Sequence, residues 1–230
     1  MVTELLHYPP RVLKKALSLL ILAVAAAACS SASSEPVGLE NPERAVVALF
    51  EAIDSGDAVT ASQATDPDTL ALILGIENDL DAATMAAYLD EGVPLDVQAA
   101  YWSSFSDGFA EFSSRPISTL TVGESESFTA EGVQFASVPV SGGAGGTSTV
   151  ITRMTPEETW QVDLVASLGD GFVKLLSTEH DSLPSNADGD RVREGYESVV
   201  VPSLWAAMND GSFGDDFTRS ALALIEQVGG

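Results

Sequence analysis

At Pro116 the spacing of apolar residues changes, and that change constrains the fold more than any other feature of the chain. Before it, apolar side chains recur at three- and four-residue intervals; from Ile117 to Ala166 they recur at about every second residue. A period near 3.6 lays one face of a helix on a core, and a period of two lays one face of a strand there. Helices gathered before a block of consecutive strands predict an α+β architecture, with helices packed on a four-stranded antiparallel meander.

The helical block is well punctuated. Asn41-Pro42 supplies an N-cap and a first-turn proline, and Val46, Leu49, Phe50 and Ile53 keep helical spacing until Gly56. Asp57 caps a short helix running through Ala64, Asp66-Pro67 repeats the start signal, and Asp81 caps a helix over Ala82 to Leu89. The longest helix is expected from Asp96 to about Phe112, with Val97, Tyr101, Phe105, Phe109 and Phe112 along one face. Strands are expected at 117–122, 133–140, 147–154 and 159–166. The run Gly142-Gly143-Ala144-Gly145-Gly146 lies between two of them, so it reads as a hairpin connection rather than a phosphate cradle, which needs a following helix. After Leu168 helical spacing returns at 172–178, 190–200, 204–208 and 216–228, with Pro202 expected to separate the second and third of these pieces.

The N-terminus reads as a leader. Arg11, Lys14 and Lys15 precede Ala16–Ala28, thirteen residues interrupted only by Ser18. At 1.5 Å per residue this stretch spans about 20 Å, short of the roughly 30 Å hydrocarbon core of a bilayer. A basic start, an apolar centre of this length and a small-residue end describe a secretory signal. The only cysteine, Cys29, follows Ala26-Ala27-Ala28. Here the segment resembles a bacterial lipoprotein leader. The resemblance implies cleavage between Ala28 and Cys29, a diacylglyceryl thioether on Cys29, and a protein held at the extracytoplasmic face of a membrane. The family pattern has Leu three residues before the cysteine, where this chain has Ala26. Ordinary cleavage, releasing a secreted protein with a free thiol, is the competing reading. Two acyl chains suffice for stable anchoring, and an exposed thiol in an oxidising compartment is reactive. Residues 29–40 include the Ser-rich stretch SSASSEP and read as a flexible tether.

Composition closes several routes. The chain of 230 residues carries 34 Asp and Glu against 10 Lys and Arg, a net charge of -24. Without residues 1–28 it keeps seven basic and 33 acidic residues, a net charge of -26. Nucleic-acid binders gather cations to neutralise phosphates, so no nucleic-acid partner is expected. One cysteine excludes an intrachain disulfide and any multi-cysteine metal site. Asn186, Asp188, Asp190 and Glu197 have the spacing of a calcium loop, but Arg191 stands where that loop needs glycine and Pro184 where a helix should enter. No metal and no cofactor are expected.

The helix PERAVVALFEAIDSGDAVTA, followed by more helix and then strands ending in ETWQVDLVAS, resembles the nuclear transport factor two-like, or cystatin-like, superfamily across about residues 41–168. Residues 169–230 lie outside the resemblance and read as a helical C-terminal extension. The resemblance implies a curved, four-stranded antiparallel sheet wrapped by helices into a cone that often holds a pocket, here with Phe105, Phe109, Phe135, Trp160 and Val162 as its expected lining. Family enzymes place an acid or a His and Asp pair inside that cone. Asp163 is out of phase with Trp160, Val162 and Leu164, Tyr88 and Tyr101 lie on helices, and His7 and His180 fall outside the cone segment. No catalytic residues are therefore assigned. The expectation is a lipid-anchored extracytoplasmic binding or interaction protein without catalytic activity, whose partner is an unknown protein or an apolar ligand. A carrier of an apolar ligand in the cone is the alternative, and an isomerase or dehydratase a more distant one.

Overall fold

Asn41, Asp57, Asp66 and Asp81 each accept a backbone N–H three residues on, so the first four helices begin where their caps stand. The computed structural model describes residues 39–142 and 146–230. The expected leader, Cys29, the Ser-rich tether and the centre of the Gly142–Gly146 run lie outside the described residues. Helices α1 (Pro42–Ser55), α2 (Ala58–Gln63), α3 (Pro67–Glu77), α4 (Ala82–Glu91) and α5 (Leu95–Ser113) come first. Gly56, at φ 71°, ends α1 and donates its N–H back to Ile53. Val46, Leu49, Phe50 and Ile53 of α1 are buried, each contributing about 1.5–3 kcal/mol by leaving water.

The sheet is antiparallel and strongly curled into a half-barrel of four strand positions. Strands β1 (Thr121–Val122) and β2 (Glu126–Ala130) lie end to end along one edge of β3 (Val133–Ser141), whose other edge pairs with β4 (Thr147–Met154), followed by β5 (Trp160–Val162). The β2–β3 connection is a two-residue turn in which Glu131 and Gly132 both have positive φ, 49° and 77°, the requirement of the tight hairpin turn that matches strand twist.

The strand block departs from expectation in three places. The first strand shrinks because the Asp54 carboxylate of α1 accepts the Ile117 and Ser118 N–H groups, holding Ile117–Thr119 in a 3₁₀ turn. Strand β2 was not expected, since ESFTA has little apolar alternation. The last strand stops at Val162 because Asp163 turns the chain, its carboxylate accepting the Ala166 N–H at 2.8 Å.

Helices α6 (Asp170–Ser182), α7 (Ala187–Gly195), α8 (Val201–Asp210) and α9 (Asp215–Gly229) complete the chain. Pro202 does not break the helix. Tyr196–Val200 form a π turn that joins α7 to α8 without interruption, and the missing proline N–H is accommodated next to that widened turn. Asn186 caps α7, its side chain accepting the Gly189 N–H.

Strand alternation and register separate the two faces of the sheet. Ala136, Val138, Val140, Val150 and Val162 share the concave face with α1, while Phe135, Ile151 and Arg153 point the other way. That convex face is covered by α8 and the π turn, which bring Ser203 and Val199 against Arg153. One continuous cluster of buried apolar side chains runs from Leu39 to Leu224, taking in helices on both sides of the sheet. No helix among the described residues is long and apolar enough to cross a membrane.

Candidate ligand-binding site

Helix α5 is the element that makes a cavity. It buries Trp102 and Gly108, whereas Tyr101, Phe105 and Phe109 stay half-buried and Phe112 is 57% exposed. The expected stripe is therefore present but does not reach the sheet. Between it and the concave face lies a cavity of about 380 Å³, within the range of small-molecule sites. Phe105 and Phe109 form its helical wall, Leu49, Phe50 and Ile73 its floor, and Val140, Val150 and Val162 its sheet side. Among the described residues, none of the side chains lining it is a carboxylate or an imidazole.

The exposed lining marks the opening. Phe112 lies at the C-terminal end of α5, with Ser113 and Arg115 beside it. Ser114, at φ 59°, ends the helix in a left-handed turn that sends Arg115 and Ile117 back along the cavity. Tyr101 also lines the cavity; burial, with the charge of Glu77 adding to it, raises its phenol above the ordinary value, so the hydroxyl stays a neutral donor. Loss of hydration pushes the Glu77 carboxyl up to about 7, although its side chain keeps contact with solvent.

Of the five residues expected to line the cone, Phe105, Phe109 and Val162 do so. Phe135 does not: it lies on the convex face, stacked on Phe128 with ring centroids 6.0 Å apart and with the Arg153 guanidinium 5.3 Å from its centroid. The correction follows from register, since Phe135 pairs with Arg153 and alternates with the inward Ala136 and Val138. Trp160 shares the inward phase of Val162, but it is packed in the core beside Leu39, whose carbonyl accepts its backbone N–H, and forms no part of the cavity lining.

Asp163 is out of phase with Trp160 and Val162, yet it is fully buried. Its carboxylate lies 3.2 Å from an Arg153 nitrogen and accepts the Ser203 hydroxyl at 2.7 Å. Asp66, which caps α3, lies 3.7 Å from the other terminal nitrogen of Arg153. Burial raises the Asp163 carboxyl, against the opposing pull of Arg153, the Ala166 N–H and Ser203. This group ties strand β4 to α3 and α8. A wider, more open recess of about 890 Å³ touches its edge at Asp66, Asp68 and Arg153. Because the carboxylates of Asp66 and Asp163 are engaged by protein groups, the cavity under α5 is the better candidate for a site.

Nothing in the sequence marked Arg153 and Ser203 as partners, since they are separated by 50 residues. His180 packs on Tyr196 and contacts Gln227, away from the cavity. Among the described residues no three His, Cys, Asp or Glu side chains converge as metal ligands. Comparison of the chain with protein-family models, with curated proteins and with solved structures found no match.

Proposed function

We propose that this protein binds a small, largely apolar ligand in the cavity beneath α5, and that it does so at the outer face of a membrane to which Cys29 anchors it. The single observation that carries the binding reading is the cavity itself. A row of aromatic side chains on α5 faces Val140, Val150 and Val162 of the sheet across about 380 Å³ of open space. An interior that only had to fold would close such a gap, since unfilled space costs packing contacts and stability. The reading is non-catalytic: the buried acid Asp163 is turned to the opposite face and already engaged by Arg153 and Ser203, and the cavity walls offer side chains suited to holding a ligand rather than to moving protons. The leader pattern and Cys29 support the location.

Replacing Val150 by Trp fills the cavity from the sheet side. Titration of the full chain with the neutral fluorophore N-phenyl-1-naphthylamine is expected to show saturable binding that Val150→Trp reduces at least about tenfold, with an unchanged far-ultraviolet circular dichroism spectrum. Equal binding by both proteins would place the fluorophore elsewhere and overturn the reading.

A further inference from the structure

Seven basic residues follow Cys29, and all seven are among the described residues. Six of them are paired with acids: Arg44 with Glu40, Arg153 with Asp66 and Asp163, Lys174 with Asp170, Arg191 with Asp90, Arg193 with Asp190, and Arg219 with Asp216. Arg115 is the exception. Among the described residues its guanidinium has no acidic partner and no hydrogen bond; only its backbone is engaged, by Ser113. In a chain with more than three acids for every base, an unpaired cation needs a reason, and this one lines the apolar cavity, half-buried, next to its exposed rim at Phe112.

We infer that the ligand is an amphiphile with one aliphatic chain and one carboxylate, its chain lying along Phe105 and Phe109 and its carboxylate paired with Arg115. This rests on the binding reading given above and names the ligand class for the same cavity. A guanidinium offers parallel N–H donors that match a carboxylate in a bidentate pair, and a partly desolvated setting strengthens such a pair relative to one in open water. The long-range field of the molecule opposes anions, but at physiological ionic strength it is screened beyond about 8 Å. A single charge opposite a single guanidinium is the arrangement that field penalises least, which favours a monocarboxylate over a phosphate dianion. A cavity of about 380 Å³ lies within the size range of small-molecule sites, which suits an alkanoic acid of medium chain length.

The test is displacement of N-phenyl-1-naphthylamine from the full chain by dodecanoic acid and by dodecanol, which share a chain and differ at the head. Dodecanoate is expected to displace the fluorophore at about tenfold lower concentration than dodecanol, the increment of a hydrogen bond to a charged group. Arg115→Gln should erase that difference, so that dodecanoate competes no better than dodecanol, and Arg115→Lys should keep part of it. Acid and alcohol competing equally in the unaltered protein, or an acid preference that survives Arg115→Gln, would overturn the assignment of the headgroup while the cavity reading stands. Failure of the fluorophore and of both competitors to bind would overturn the cavity reading itself.

Discussion

Arg153 and Asp163 show how much one side chain can depend on residues far away in sequence. The phase of β5 puts Asp163 opposite Trp160 and Val162, and that much is legible from alternation. Phase does not say what lies on the second face. Here α8 covers it, so the carboxylate is dehydrated and must be held by Arg153, Ser203 and the Ala166 N–H. Removing one partner strands the other: Arg153→Met is expected to cost about 3–5 kcal/mol, read as a lower urea midpoint at constant slope. Burial already raises the Asp163 carboxyl, and losing the guanidinium raises it further. In the variant, protonation removes the uncompensated charge, so the folded state gains on the unfolded one as pH falls. The deficit of Arg153→Met should therefore shrink in acid, and unfolding curves across pH check the sign. Arg115 poses the converse case, a cation identifiable in the sequence whose guanidinium has no acidic partner among the described residues, which only the folded arrangement shows.

Among the elements, helix starts were the most legible, because a cap and its helix are neighbours in sequence and the hydrogen bond is local. Asn41, Asp57, Asp66 and Asp81 act where their spacing suggests. Elements whose form depends on a distant contact were not legible. Ile117–Thr119 is a turn because of Asp54, more than sixty positions earlier. Pro202 sits within continuous helix because the preceding π turn accommodates its missing N–H. The start of α7 is fixed by close packing: a Cβ on Gly189 would fall 1.9 Å from the Pro184 carbonyl oxygen. Backbone cannot yield as a side chain would, so Gly189→Ala is expected to cost about 1–3 kcal/mol, measurable as a fall in thermal midpoint. Substituting Gly214, which has open space around it, with Ala provides the control and should change stability far less. Helix α5 shows a subtler limit. Its aromatic stripe was visible, but whether that stripe meets the sheet or stands off from it depends on where Trp102 and Gly108 seat the helix.

At the scale of the whole molecule, the proposed anchor and the cavity bear on one another, since a binding protein tethered through Cys29 would work beside a reservoir of aliphatic chains. Mass spectrometry of the membrane fraction is expected to find the mature N-terminus at Cys29 carrying a diacylglyceryl group, and Cys29→Ser should abolish that species and move the protein out of the fraction. An unmodified mature N-terminus would refute the anchor while leaving the cavity prediction untouched. The α+β class was settled by the sequence alone, because hydrophobic period is set residue by residue and the switch from helical spacing to alternation at Pro116 survives any packing of the parts. The helix caps were settled the same way, by contacts three residues apart. Which face of the sheet Phe135 occupies, what covers Asp163, and the existence of a gap beneath α5 were decided only in the tertiary structure. The face of Phe135 follows from strand register, and the other two depend on how closely packed surfaces approach, which is fixed by side chains distant in sequence.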